Sequence, residues 1–187
     1  MTKTLGDIAD IRFGYYAKPI NGSGMPYLQA KHFDAYGNMI VAPDTFIEAD
    51  HKAAEQMLRD GDVLFAGKGY RNFAWCYRRS FGQAVASSLF HVLTPDTQVV
   101  IPEYLTALLN HPKNQLYFQQ LAAGSSIPSI RKNELADFKV PVVSLDMQSK
   151  IVEIYRLHRT EISLTLELLD RKNDLYESVF NTLVNDN

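Results

Sequence analysis

Apolar residues recur at helical spacing through the last fifth of the chain, residues 146–185, which contain neither proline nor glycine. Steps of three, four and seven residues trace two apolar stripes, and such steps place side chains on one face of an α-helix. The pattern predicts one continuous helix. At a rise of 1.5 Å per residue this helix would extend about 60 Å, which is longer than a compact domain of this size requires.

Two stripes cover more of a helix surface than the narrow seam of a two-stranded coiled coil, so we expect packing on at least two sides. Two interpretations are open: the helix folds back over its own domain, or it pairs with a helix of another chain. Its length favours pairing. The positions predicted to contact a partner helix are Ile154, Leu157, Ile162, Leu164, Leu168, Leu169, Leu175, Tyr176, Val179, Phe180 and Leu183.

Short strands are predicted in the preceding part of the chain. Alternating apolar and polar residues indicate strands at residues 5–13, 25–30 and 73–78. Short apolar runs indicate buried strands at residues 63–66 and 84–93, the latter broken at Thr94-Pro95-Asp96. Turn-forming residues separate these segments, as expected for small sheets.

Short helices are predicted between the strands. Asp50 is a predicted N-cap for a helix that reaches Leu58. Pro102 begins a helix that reaches about Ala123, and the sequence leaves open whether His111-Pro112 divides it. A turn of helix is predicted over residues 131–136. The fold class is therefore α+β, with small twisted sheets and short helices over residues 1–145 and one long C-terminal helix over residues 146–187.

Composition is that of a folded protein without a membrane span. The chain has 187 residues, of which 46% are hydrophobic and 21% charged, which fits one globular domain with an appendage or two very small domains. No apolar run could cross a bilayer, and the N-terminus lacks the apolar core of a signal peptide. Cys76 is the only cysteine, so no intrachain disulfide is possible. We expect a cytoplasmic protein with no membrane association.

The distribution of charge is more informative than the net charge of −2. Residues 11–33, 63–95 and 104–133 contain no carboxylate, yet they hold most of the lysine and arginine residues that precede the long helix. If these three windows converge in space, they form one positive face.

No catalytic centre is predicted. Pro43-Asp44 and Asp50-His51-Lys52 formally satisfy a metal-nuclease pattern, but that chemistry needs carboxylates on adjacent strands, and the second segment is a predicted helix start. Gly67 and Gly69 lack the third glycine and the following helix of a phosphate-binding loop. The histidines have no metal-ligand spacing and are interpreted as surface or packing residues. We therefore predict no metal, no cofactor and no enzymatic activity.

An ordered set of short motifs spans nearly the whole chain. In chain order these are Leu5-Gly6-Asp7-Ile8, Gly14, Pro26-Tyr27-Leu28, Leu58 with Gly61-Asp62-Val63-Leu64, Pro102-Glu103-Tyr104-Leu105, Gly124-Ser125, Leu135, and Pro141 with Leu145, Gln148 and Ile151-Val152. With this set the chain resembles the specificity (S) subunit of type I restriction-modification systems. It departs from the usual pattern at Val143, Ser144 and Met147, where prolines and a glutamate are common.

The resemblance implies a target recognition domain over residues 1–145 and a spacer helix over residues 146–187. A complete S subunit has two such units, each reading half of a split DNA site, with the two helices antiparallel. One unit implies a half-subunit that forms a homodimer, or pairs with a second half-subunit, through the helix. The implied partners are double-stranded DNA and a DNA methyltransferase subunit, and the sequence leaves open whether a restriction or translocase subunit joins them.

Within this resemblance, the loop between the predicted strands 63–66 and 73–78 is our candidate for base reading, because arginine can pair bidentately with guanine and asparagine with adenine. Its candidate side chains are Lys68, Tyr70, Arg71 and Asn72. Further candidate DNA contacts, mainly to phosphate groups, are Lys18, Lys31, Arg78, Arg79, Ser125, Ser126, Arg131 and Lys132.

Other interpretations of these residues compete with DNA binding. Each cation taken alone fits an ordinary solvated surface position. The aromatic residues Tyr15, Tyr16, Phe73, Trp75 and Tyr77 are predicted to pack in the core or in loops. The alternative function is a coiled-coil adaptor that binds protein through the long helix and never touches nucleic acid.

Overall fold

Small sheets and short helices precede one long helix. The computed structural model describes residues 1–34, 36–122 and 128–185. In these ranges the strands are β1 (Thr2–Thr4), β2 (Ala9–Phe13), β3 (Met25–Leu28), β4 (Phe46–Ile47), β5 (Val63–Ala66), β6 (Ala74–Cys76), β7 (Val85–Ala86), β8 (Phe90–Pro95) and β9 (Lys139–Pro141). The helices are α1 (His51–Glu55), α2 (Pro102–Asn110), α3 (Pro112–Leu121), α4 (Lys132–Ala136) and α5 (Leu145–Asn185). The predicted α+β class is confirmed.

The largest sheet is antiparallel throughout, in the order β2-β8-β5-β6. Phe13 at the end of β2 pairs with His91 near the start of β8, and Ala66 at the end of β5 pairs with Phe90. The ends of β2 and β5 therefore lie beside the starts of β8 and β6. We call this end of the sheet, marked by Phe13, Ala66, Ala74 and Phe90, the loop edge.

Two smaller sheets complete the strand pairing. β3 lies between β4, which is antiparallel to it, and β7, which is parallel. β1 pairs with β9 in an antiparallel ribbon. That ribbon joins the beginning of the chain to the segment that precedes α5.

Aromatic packing fills the core. The ring of Phe33 lies 5.3 Å from the rings of Phe73 and Trp75 and 5.8 Å from that of Phe90. Phe73, Trp75 and Tyr77 are buried, which confirms the packing role predicted for the strand aromatics. The same prediction is wrong for Tyr16, whose side chain is 76% exposed.

Local hydrogen bonds explain where two of the predicted elements begin. The strand predicted from residue 5 begins only at Ala9, because Leu5–Asp7 forms a 3-10 turn in which the Asp7 carboxylate accepts a hydrogen bond from the Thr4 N–H. Asp50 caps α1 as predicted, with Oδ1 accepting from the Ala53 N–H at 2.7 Å. The helix ends at Glu55, however, short of the predicted Leu58.

Proline and a short turn divide two predicted elements. The helix that begins at Pro102 is two helices, because Pro112 has no N–H to continue α2 and instead begins α3. The predicted strand 84–93 is split by residues 87–89 into β7 and β8. Its predicted break at Thr94 is wrong, since β8 continues to Pro95 opposite Ala9.

The chain divides into two compact units, Met1–Ser149 and Lys150–Asn187. α5 begins in the first unit and continues through the second. Its 41 residues contain neither glycine nor proline. Ten of the eleven predicted partner-contact side chains are between 50% and 68% exposed, and Ile162 is half-buried. None of the helices within the described ranges has both the length and the apolar content that a bilayer span requires.

Candidate nucleic-acid interface

The loop between β5 and β6, residues 67–72, is held at the loop edge by one buried side chain. Nδ2 of Asn72 donates a hydrogen bond of 2.8 Å to the carbonyl oxygen of Ala66, where β5 ends. Gly69 has a φ of +103°, a conformation that favours glycine. The loop leaves Lys68, Tyr70 and Arg71 exposed to solvent.

A second segment, residues 128–132, runs beside this loop. The Gly69 N–H donates to the carbonyl of Pro128 at 2.9 Å, and the Ile130 N–H donates to the carbonyl of Gly67 at 2.8 Å. Arg131 and Lys132 directly follow Ile130 and are exposed. Backbone pairing therefore brings them to the same edge of the sheet as the loop that carries Lys68.

His91 lies beneath both segments. Its Nε2 is 2.8 Å from the carbonyl oxygen of Ile130, and its ring centroid is 5.3 Å from that of Phe13. The Gly67 backbone passes so close that a Cβ there would lie 2.6 Å from Nε2. Burial lowers the pKa of His91; the hydrogen bond to Ile130 opposes this shift, and the charges of Lys68 and Lys132 reinforce it. The imidazole is therefore neutral at pH 7, with its proton on Nε2.

Sequence reasoning identified His91 only as one of several surface or packing histidines, and the packing interpretation is confirmed by its burial. Its contacts with Gly67 and Ile130 were missed because they join positions 24 and 39 residues away in the sequence. The one local signal was a polar residue inside the apolar run of β8.

Exposed aromatic side chains also lie at the loop edge or in the loops that start there. Tyr70 is 83% exposed, Tyr16 is 76% exposed and Phe13 is 53% exposed. Phe13 ends β2 directly opposite His91 and is absent from the predicted DNA contacts. Aromatic rings beside cations are a common feature of nucleic-acid-binding surfaces.

Several cations from the carboxylate-free windows pair with carboxylates from elsewhere in the chain. Arg78 pairs with Asp60 at 3.1 Å and also with Glu103, Lys31 pairs with Asp44 at 2.7 Å, and Arg12 pairs with Asp62 at 3.6 Å. Hydrogen bonds from Lys31 and His32 hold the pKa of Asp44 well below its usual range. These windows therefore do not form one continuous positive face.

The remaining predicted DNA contacts do not all lie at the loop edge. Arg78 and Arg79 follow β6, and because Cys76 pairs with Val63 they lie at the opposite end of the β5–β6 hairpin from the loop 67–72. Lys18 is exposed in the β2–β3 connection, and Ser125 and Ser126 lie outside the described residues. No salt bridge in the part of the chain that the structure describes joins a carboxylate to the side chain of Lys68, Arg71, Arg131 or Lys132. The Glu134 carboxylate accepts a hydrogen bond of 2.7 Å from the backbone N–H of Arg131.

The nuclease pattern noted in the sequence is not assembled. Asp44 is bound by Lys31 and His32, while Asp50 caps α1. Within residues 1–34, 36–122 and 128–185, no group of three or more histidine, cysteine, aspartate or glutamate side chains could hold a metal ion.

Residues 1–171 match the family model described as "Type I restriction modification DNA specificity domain". The chain belongs to this family. The type I specificity domain is similar over 133 residues, at 23% identity, to the HindI specificity subunit of Haemophilus influenzae; the match covers 68% of this chain and 28% of that protein.

Two solved structures share the fold of this type I specificity domain. One comes from work on complex assembly and conformational transition of the type I R-M system. Its TM-score is 0.67 at 17% identity, and the match covers 93% of this chain and 46% of the other. The HsdS subunit of Thermoanaerobacter tengcongensis has a TM-score of 0.61 at 19% identity, with 88% and 38% covered. The chain thus spans less than half the length of these relatives.

Proposed function

We propose that this protein is a half-subunit that reads double-stranded DNA for a type I restriction-modification complex. The observation that carries the proposal is the loop edge, where Lys68, Arg71, Arg131 and Lys132 lie on two paired segments. Within the described residues, their side chains form no salt bridge with a carboxylate. Unpaired cations of this kind suit phosphate contacts. Membership of the specificity-domain family supports DNA as the ligand.

Base reading is assigned to the exposed tip of the loop 67–72. Arg71 can pair bidentately with guanine in the major groove, and Lys68 can donate to the same base edge. Tyr70 offers a ring for apolar contact or a hydroxyl for a phosphate. Asn72 has a different role, because its amide is buried and bound to Ala66; we propose that it holds the loop in place instead of reading adenine.

The phosphate contacts are assigned to Arg131 and Lys132, with Lys18 as a peripheral contact. Lys31, Arg78 and Arg79 are weaker candidates. Lys31 and Arg78 are already ion-paired, and the two arginines lie at the other end of the hairpin. A charge neutralised within the protein contributes less to counterion release from DNA.

α5 is assigned to pairing between chains. Its exposed leucine, valine and aromatic side chains lie along one helix, and an exposed apolar surface of this length is typical of an interaction site. Two antiparallel copies would place two reading domains on one split DNA site. We propose a homodimer, a DNA methyltransferase subunit as the enzymatic partner, and a cytoplasmic location, with no catalytic step performed by this chain.

A salt-dependent selection experiment tests the proposal. The full chain, alone and with its methyltransferase subunit, is incubated with a random library of DNA duplexes, bound duplexes are sequenced, and the affinity of the selected duplex is measured at several salt concentrations. We expect a split consensus site and a logarithm of the affinity that falls linearly with the logarithm of salt concentration. Failure to retain any duplex at low salt in both forms would favour the adaptor function.

A further inference from the structure

Two segments far apart in the sequence form the cationic part of the loop edge, and three polar contacts join them to each other and to the sheet. The carbonyl of Gly67 accepts from the Ile130 N–H, and the carbonyl of Pro128 accepts from the Gly69 N–H. The third contact, from Nε2 of His91 to the carbonyl of Ile130, ties residues 128–132 to β8. His91 is thus the side-chain link between the sheet and the segment that carries Arg131 and Lys132.

The other ring nitrogen of His91 is buried without a partner. Within the described residues, Nδ1 has no hydrogen bond. A neutral imidazole with its proton on Nε2 leaves only a lone pair there, whereas protonation would leave a buried N–H without an acceptor, which is the more costly arrangement. The site therefore fits the neutral ring.

The charged groups that face His91 oppose its protonation, whereas the hydrogen bond to the Ile130 carbonyl favours it. The charged ones are Lys68 from the loop 67–72 and Lys132 from α4, and both are cationic. The neighbours from β2 and from the two segments are Phe13, Gly67 and Ile130, which do not titrate. No carboxylate of the described residues is among these groups.

We infer that neutral His91 is a positioning residue that holds residues 128–132 against β8 beside the loop 67–72, so that protonation of His91 releases this cationic segment from the sheet and weakens DNA binding. The inference rests on the proposed function for its DNA readout. The direction of the pH effect distinguishes this role from that of an ordinary surface histidine. Protonation of a surface histidine adds a positive charge and strengthens binding to phosphates, whereas protonation of His91 should weaken it.

Two variants of the full chain test the role. His91→Gln keeps an N–H donor at the length of Nε2 without a group that titrates, and His91→Leu removes the donor. His51→Gln, at an exposed histidine on α1, is the matched control. The affinity for a fixed duplex is measured by fluorescence anisotropy between about pH 5.5 and 8 at constant ionic strength, and amide hydrogen exchange is followed without DNA.

At pH 8 we expect His91→Leu to bind DNA about threefold to tenfold more weakly than the unmodified chain, the usual effect of one lost hydrogen bond. His91→Gln should bind within about twofold and lose the weakening at low pH. Exchange at residues 67–72 and 128–132 should accelerate in His91→Leu and not in His51→Gln. Unchanged exchange in His91→Leu would overturn the inference, as would DNA binding that strengthens on acidification through His91.

The two readouts separate this inference from the proposed function. If the unmodified chain binds no DNA, the proposed function fails, while the exchange experiment still decides whether His91 holds residues 128–132 to the sheet. If DNA binds and exchange in the two segments does not depend on His91, only the positioning role is lost.

Discussion

The side-chain oxygen of Gln148 accepts a hydrogen bond of 2.8 Å from the backbone N–H of Ile101. Nε2 of the same side chain donates to the carbonyls of Val99 at 3.0 Å and Val143 at 2.9 Å, and the residue is fully buried. Ile101 is the N-cap of α2, and the first N–H groups of a helix lack partners within it. One amide therefore joins the first turn of α5 to the start of α2.

Replacing Gln148 by leucine should lower the free energy of unfolding by about 2 to 4 kcal/mol, because the Ile101 N–H and two carbonyls lose a buried partner. Gln148→Glu should cost at least as much, since a carboxylate would face two carbonyl oxygens. Chemical denaturation measures both changes. The control Ser149→Ala removes an exposed hydroxyl that bonds only to the preceding helical turn, and equal stability of Gln148→Leu and this control would contradict the anchoring role.

Arg71→Ala should reduce affinity for a selected cognate duplex more than affinity for random DNA. The structure exposes Arg71 at the tip of the loop 67–72, and a bidentate contact with a base contributes about 1 to 3 kcal/mol of discrimination. Competition binding with cognate and random duplexes measures the difference. An equal loss on both duplexes would remove Arg71 from the reading role.

Arg131→Ala should weaken cognate and random DNA alike and reduce the slope of log affinity against log salt by about 1, as expected for a phosphate contact. Arg78→Ala is the matched control, since Arg78 is ion-paired with Asp60 and Glu103 away from the loop edge. A salt titration of both variants provides the measurement. If Arg78→Ala lowered the slope as much as Arg131→Ala does, the assignment of the phosphate contacts mainly to the loop edge would be wrong.

Features set by neighbours in the sequence could be predicted, and contacts between distant residues could not. Asp50 caps a helix through the N–H of Ala53, and Pro112 begins α3 because of its own ring. The two carboxylates that pair with Arg78 lie 18 and 25 residues away in the sequence. A segment without carboxylates can therefore still lie beside carboxylates in the folded protein.

Residue type alone also misassigned Asn72. Its amide matches the hydrogen-bonding edge of adenine, which made it a candidate reader, but the same groups suit a backbone carbonyl six residues earlier in the chain. The β5–β6 pairing decides between these uses, because it buries Asn72 and leaves Arg71 outside.

Asn72→Ala should therefore lower the free energy of unfolding by about 1 to 3 kcal/mol, since the Ala66 carbonyl loses its partner, and weaken cognate binding together with this loss of stability, because the loop that carries Arg71 is no longer held. Asn72→Asp should behave similarly, because an ionised carboxylate cannot donate to a carbonyl. Paired binding and unfolding measurements distinguish this from base reading. Full stability combined with a loss confined to the cognate duplex would restore Asn72 as a reader.

The double variant Leu164→Glu/Leu175→Glu should convert the proposed homodimer into monomers. Both side chains are exposed in the single chain, at 60% and 65%, so the substitutions cost the folded monomer little, whereas each would bury a carboxylate without a partner in a helix–helix contact. Sedimentation equilibrium measures the change, and circular dichroism verifies that α5 remains helical. Ser163→Glu adds one carboxylate beside the apolar stripes and should leave the dimer intact. If the double variant kept the mass of the unmodified chain, α5 would not be the surface that joins the copies.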